Sequence, residues 1–176
     1  YSSDLEGTAF PEAGPYGEHA WSLGRLANHE RSLLRFVEYS IPGVNTPMLY
    51  FGMLFSMFCW HVEDHMFYSV NYHHFGDPKV WYGVPSSAAA LFEETFRAAL
   101  PEQFSAQPDL LFHLVTLLSP RVLQAKGGPV HRVVQEPGNF VVTFPNGYHG
   151  GFNAGLNCAE AVNFALKEWV PHGRRA

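Results

Sequence analysis

Apolar and polar positions alternate with two rhythms along the 176 residues, strand-like at both flanks of a helical middle. Tyr1 to Gly24 is rich in Gly, Pro and Ser with few periodic apolar positions, so it reads as mostly irregular. Asn28 to Val37 offers Leu33, Leu34, Phe36 and Val37 as the buried side of a short helix, ended by the turn signals Pro42-Gly43 and Asn45-Thr46-Pro47. Met48 to Phe58 is an aromatic and apolar run that predicts one strand, with Gly52 a bulge or a point of close backbone approach. Tyr68 to Tyr72 and Lys79 to Val84 predict two more, joined by the turn Gly76-Asp77-Pro78. Pro85-Ser86 then opens a helix to about Leu100, with Leu91, Phe92, Thr95, Phe96 and Ala99 on one face and Pro101 as its stop. Pro108 opens a further helix to about Leu118, and Ser119-Pro120 a short one closed by Gly127-Gly128. Strand patterns return at Val130 to Val134, Asn139 to Phe144 and Cys158 to Leu166.

Strands, then helices, then strands make a mainly β fold with a helical insertion, best fitted by a small antiparallel barrel or jelly roll. The expected partition is one domain: an irregular or helical part over 1–45, barrel strands over 46–85 and 129–168, and the insertion over 86–128. An apolar share of 47% and 15 Phe predict an aromatic-rich core. Cys59 and Cys158 cannot build a disulfide framework or a structural zinc site, which points to a reducing compartment. The net charge of −5 disfavours nucleic acid as a direct partner and suits a basic peptide. Met53 to Trp60 is too short to span a bilayer, and the chain opens on Tyr1 without a secretory pattern, as expected of a piece of a longer protein.

The chemistry concentrates at His61-Val62-Glu63-Asp64-His65, directly after the apolar run. In extended chain, residues two apart share a face, so His61 and Glu63 project together. By itself His-x-Glu reads first as the polar edge of a strand. A distant histidine would turn the pair into the 2-His-1-carboxylate set of non-haem iron oxygenases, which leaves coordination positions open for reactants. His149 lies 88 residues later, beyond the turn Pro145-Asn146-Gly147, at the start of a late strand. His65, His73, His74, His113 and His131 read as packing or surface groups, because the adjacent His73 and His74 point to opposite faces.

The ordered motifs Pro47-Met48-Leu49-Tyr50-Phe51-Gly52-Met53, Cys59-Trp60-His61-Val62-Glu63-Asp64-His65 and Gly76-Asp77-Pro78-Lys79-Val80-Trp81-Tyr82-Gly83-Val84-Pro85 resemble a JmjC domain. So do Tyr68-Ser69-Val70-Asn71-Tyr72-His73, Pro137-Gly138-Asn139-Phe140-Val141, Thr143-Phe144-Pro145 leading into Tyr148-His149, and Asn157 to Phe164. The resemblance runs from about Tyr1 to Trp169. It implies a double-stranded β-helix (cupin-like) fold and an Fe(II)- and 2-oxoglutarate-dependent dioxygenase that consumes O2. Its implied reaction is N-methyl hydroxylation on a methylated histone H3 tail, with formaldehyde release, in the nucleus. By that resemblance His61, Glu63 and His149 hold the iron; Lys79 pairs with the distal carboxylate of 2-oxoglutarate, helped by Asn71, Ser69, Tyr1 and an aromatic wall at Phe58. Phe58 has the wrong parity relative to His61, so its role requires a strand irregularity. Tyr50, Ala161 and Asn163 would line the methyl-ammonium pocket.

Gln107-Pro108-Asp109-Leu110-Leu111 and Leu114-Val115-Thr116 are similar to the JARID-type lysine 4 demethylases. Phe55-Ser56-Met57-Phe58 is closer to plant-type enzymes, some acting on lysine 27, and Val44-Asn45-Thr46-Pro47 to the lysine 9 and 36 group. Lysine 4 is the preferred expectation. The chain departs from the family at Asn146-Gly147 and Gly150; glycines on both sides of His149 are expected to loosen that ligand. The family's companion JmjN segment and its reader or zinc modules are expected elsewhere in the parent protein. Two other classes stay open: a JmjC protein hydroxylase with a non-histone target, and a binding module that has lost turnover.

Overall fold

The structure, a computed structural model, describes residues 3–10, 14–113 and 117–176. Its described strands are β1 Ser3–Glu6, β2 Met48–Gly52, β3 Met57–His61, β4 Tyr68–Gly76, β5 Lys79–Val84, β6 His131–Gln135, β7 Phe140–Thr143, β8 Tyr148–Asn153 and β9 Asn157–Phe164. They form a five-stranded sheet, β1-β2-β9-β4-β7, and a four-stranded sheet, β3-β8-β5-β6, antiparallel at every pairing. The chain steps repeatedly from one sheet to the other, which is the jelly-roll arrangement expected from the sequence.

Several expectations need correction. The first 45 residues are not merely irregular or helical, since β1 pairs in register with β2 (Asp4 opposite Tyr50). The run Met48 to Phe58 is two strands in different sheets. At Met53–Ser56 the chain turns on a left-handed Phe55 (φ 60°), with the Ser56 amide donating to the Met53 carbonyl at 2.9 Å. Gly52 and Ser56 are the marks of this step in an otherwise apolar run, and Ser56 Oγ accepts from the Met53 amide at 2.9 Å. The Asn28–Val37 helix shrinks to a 3-10 turn at Leu33–Phe36, because the Leu33 amide donates to Ala165 O and the Ala165 amide to Ser32 Oγ. That backbone is tied to the end of β9 and not to itself. A short α1, Leu23–Leu26, lies just before it.

In the insertion, a 3-10 turn at Ser86–Ala88 leads into α2, Ala89–Ala99, and Pro101 opens α3, Pro101–Ala106, at the first-turn position that suits proline. The helix expected from Pro108 to Leu118 is a 3-10 turn at Leu110–His113; residues 114–116 lie outside the described residues. Leu118 leaves helical geometry and its carbonyl accepts from Trp60 Nε1 at 2.8 Å. Two more short helices are α4, Pro120–Ala125, and α5, Val170–Gly173.

Apart from Phe58 and Trp81, most apolar burial sits outside the space between the sheets. Trp60, Val84 and Tyr148 pack against Phe92, Phe96, Phe104 and Leu123 of the insertion. Leu23 and Ala27 pack on Val70 and Val162, the outer face of the five-stranded sheet. The inter-sheet space is polar instead: Ser69, Asn71, Lys79, Gln135, His149, Asn153 and Asn163 are all buried. Gln135 bridges the sheets, accepting from Trp81 Nε1 (2.8 Å) and donating to Asn71 Oδ1 (3.1 Å). A buried polar interior is stable only when its groups are paired, so this lumen is built around hydrogen bonds.

Candidate metal centre

His61 is the last residue of β3, and β-pairing sets it directly opposite His149 of β8. Glu63 follows the strand end in an extended conformation (φ −65°, ψ 153°), so the period-two relation to His61 survives. Glu63 Oε1 is 3.1 Å from His149 Nε2 and 3.8 Å from His61 Nε2, and one ligand atom from each residue lies within 4.8 Å of the others. Among the described residues this is the one such cluster of His, Cys, Asp and Glu.

The imidazoles are oriented from behind. His61 Nδ1 is 2.8 Å from the Cys59 carbonyl and His149 Nδ1 is 3.0 Å from the Gly147 carbonyl. A carbonyl only accepts, so each Nδ1 donates to it and each Nε2 is turned inward beside Glu63, where it can ligate an ion. The donor set of two imidazoles and one carboxylate, open on the cavity side, fits an Fe(II) ion. Burial, then the neighbouring His149 charge, lowers the His61 pKa to about 4 despite the attraction of Glu63. Burial alone would raise the pKa of Glu63, but the His149 hydrogen bond and the two histidine charges outweigh it and hold it at about 2. At neutral pH His61 is therefore neutral and Glu63 ionised, the states a metal requires.

A cavity of about 760 Å³ opens beside these atoms, and Tyr50, Phe58, Ser69, Asn71, Ala161 and Asn163 line it. The parity problem at Phe58 is resolved by a bulge: Phe58 pairs with Gly151 and His61 with His149, three steps on β3 against two on β8. Phe58 thereby joins the face of His61 and packs edge-on against Trp81, with ring centres 4.7 Å apart. Ser69 lies opposite Asn163 and Asn71 opposite Ala161 across β4 and β9.

Lys79 is wholly buried, its Nζ donating to Asn153 Oδ1 at 2.6 Å and standing 5.5 Å above the Phe58 ring. Burial lowers its pKa from the ordinary 10.5 to about 8. Tyr50 moves the other way: burial, then the charges of Asp4 and Glu63, push its hydroxyl up to about 12. Tyr1 lies outside the described residues.

The sequence reading missed Asp4 and Trp81 on the cavity wall, and Gln135 and Asn153 behind it. Asn153 was within reach, since parity along β8 places it on the face of His149; nothing in sequence marked Gln135. The other histidines behave as packing or surface groups: His73 and His74 are tucked in, His65 and His131 exposed, and the His113 side chain lies outside the described residues. Of the glycines beside His149, Gly150 and Gly151 lie inside β8, which is hydrogen-bonded on both edges, while Gly147 lies in the turn before it. A Cβ on Gly151 would lie 2.0 Å from the Val80 carbonyl, and one on Gly150 3.2 Å from the Phe58 carbonyl.

Comparison with known proteins matches residues 48–164 to the family described as JmjC domain, hydroxylase. The chain is 52% identical over 98% of its length to lysine-specific demethylase JMJ17 of Arabidopsis thaliana, of which it spans 16%. It is 49% identical over its full length to lysine-specific demethylase JMJ703 of Oryza sativa subsp. japonica, of which it spans 15%.

Proposed function

The chain belongs to the JmjC domain family, and we propose that it is an Fe(II)- and 2-oxoglutarate-dependent oxygenase that demethylates lysine on the histone H3 tail. The observation that carries this reading is the convergence of His61, Glu63 and His149 at a cavity that also presents Tyr50 and Asn163.

Iron(II), with 2-oxoglutarate and O2 as co-reactants, supplies oxidation of an N-methyl C–H bond to a hydroxymethyl amine, which loses formaldehyde. The chain's part is placement. His61, Glu63 and His149 hold the ion, and the Cys59 and Gly147 carbonyls fix the rings. Asn163 Nδ2 donates to Glu63 Oε2 at 2.9 Å and keeps that carboxylate turned. Lys79 neutralises the distal carboxylate of 2-oxoglutarate, a pairing that relieves the cost of its own burial. Phe58 and Trp81 wall that side against water, while Ser69 and Asn71 offer polar contacts. Tyr50 keeps its proton at neutral pH and faces the methyl-ammonium group with ring and hydroxyl; Ala161 leaves room for the methyls.

The similarity of Gln107-Pro108-Asp109-Leu110-Leu111 to lysine 4 demethylases makes lysine 4 the first target, with lysines 27 and 9 as the alternatives. A nuclear location and a parent protein with JmjN and reader or zinc modules belong to the same proposal. Incubating the domain with Fe(II), 2-oxoglutarate and H3 peptides methylated singly at lysines 4, 9 or 27 tests it by mass spectrometry. Loss of a methyl group identifies both reaction and site. A stable hydroxylated peptide without formaldehyde would instead make the chain a protein hydroxylase.

A further inference from the structure

Gln135 is the last residue of β6 and the cross-strand partner of Lys79, so its side chain shares the face that Lys79 turns between the sheets. It is wholly buried and does not itself line the metal cavity. It stands behind two residues that do, Trp81 and Asn71. A side-chain amide has one donor end and one acceptor end, and its orientation decides what its neighbours can offer onward.

Both ends of Gln135 meet groups of a single polarity. The Trp81 indole Nε1–H can only donate, and it lies 2.8 Å from Gln135 Oε1. Gln135 Nε2 lies 3.1 Å from the main-chain carbonyls of Asn71 and of Asn139, which can only accept. Turning the amide over would set N–H against N–H at the indole and oxygen against oxygen at both carbonyls. The same Nε2 is 3.1 Å from the side chain of Asn71, which therefore meets it with Oδ1. That leaves Asn71 Nδ2 as a donor without a hydrogen-bond partner among the described residues. Nδ2 is not one of the sealed, unpartnered polar atoms, and Asn71 lines the metal cavity, so this donor is open to it.

We infer, on the cosubstrate reading given above, that Gln135 is a positioning residue for 2-oxoglutarate. It transmits the donor polarity of Trp81 to Asn71, and so presents Asn71 Nδ2–H to a carboxylate of the cosubstrate. An N–H facing a carboxylate makes a charge-assisted hydrogen bond, whereas an Asn71 turned over would show the same anion an oxygen. The order of donors and acceptors thus separates attraction from repulsion at one atom, with almost no change in shape. Gln135 touches neither metal nor cosubstrate; it acts through Asn71 alone.

The test is a double-mutant cycle on the Kd of 2-oxoglutarate, measured by calorimetry on the whole chain loaded with Mn(II). Asn71→Ala should weaken binding about tenfold and Gln135→Met about fivefold. In the Asn71→Ala background, Gln135→Met should change the Kd by less than about twofold, because the group it orients is gone. A glutamine that merely supports the fold would weaken binding by the same factor in both backgrounds. That result, or wild-type affinity in Gln135→Met, would overturn the inference and leave the cosubstrate reading standing. A wild type that binds Mn(II) but no 2-oxoglutarate would overturn both. If Gln135→Met does not fold, NMR of the wild type loaded with Zn(II) decides. Addition of 2-oxoglutarate should shift the Asn71 side-chain NH2 resonances saturably, while the Gln135 NH2 protons exchange slowly with solvent. Unmoved Asn71 resonances, or fast exchange at Gln135, would overturn the inference.

Discussion

The side-chain amide of Asn163 donates to Oε2 of Glu63 at 2.9 Å, which leaves Oε1 to meet the two histidines. A second bond from the same amide to the Tyr68 carbonyl (3.1 Å) fixes the orientation of Asn163 itself. Removing such outer partners typically weakens metal binding about 10–100-fold. Asn163→Ala is therefore expected to raise the Kd for Fe(II), measured anaerobically by titration, by that factor, with a stability loss of about 1–3 kcal/mol from the buried groups left unpaired.

Asn153 does for Lys79 what Asn163 does for Glu63. Its Oδ1 accepts from the Lys79 ammonium at 2.6 Å and from Asn157 Nδ2 at 2.9 Å, and its own amide donates to Ser56 Oγ. Asn153→Leu keeps the volume and deletes every one of these bonds. We expect a stability loss of about 2–4 kcal/mol in urea unfolding. The KM for 2-oxoglutarate should rise about tenfold or more, with a smaller change in peptide KM.

The pH response of Lys79 has opposite signs for stability and for cosubstrate. Below pH 8 the amine is charged both folded and unfolded, and the cost of burying that charge is fully present. Between pH 8 and 10.5 the folded protein releases the proton while the unfolded chain keeps it, so stability rises with pH. The gain is up to about 3 kcal/mol, read as the difference from Lys79→Met across that window. Affinity for the anionic cosubstrate should instead fall by up to about tenfold per unit above pH 8.

The two glycines after His149 should differ in tolerance. A methyl group on Gly151 would strike the Val80 carbonyl at 2.0 Å and the Phe58 ring at 2.7 Å, so Gly151→Ala is expected to cost about 3 kcal/mol or to prevent folding. At Gly150 the nearest atoms are 3.2 Å away, and Gly150→Ala should cost under about 1 kcal/mol and retain Fe(II) binding. Circular dichroism melts separate the two.

Most strand positions and the His61–Glu63 pair were legible because both rest on local rules, whereas His149 joined the pair through the family resemblance. Alternation gave most strands of the two sheets, and period two paired His61 with Glu63. What stayed hidden depends on contacts between distant segments. The step between sheets at Phe55 lies in a mostly apolar run, where Gly52 and Ser56 alone hint at a turn. β1 is too short for a pattern and exists because β2 offers it an edge. The bulge that turns Phe58 inward was required by its role but visible only in the register of β3 against β8. Gln135 looks like an ordinary strand-end glutamine until three elements close around it.

The central claim is that His61, Glu63 and His149 form one iron site that drives demethylation. It is tested most directly by measuring formaldehyde released per 2-oxoglutarate consumed, on a methylated H3 lysine 4 peptide, in the wild type and in His149→Ala. The wild type should release one formaldehyde per 2-oxoglutarate consumed, and the variant should neither release the one nor consume the other, with an unchanged melting curve. Formaldehyde release that persists in His149→Ala, or iron-loaded wild type that binds the peptide without turnover, would contradict it.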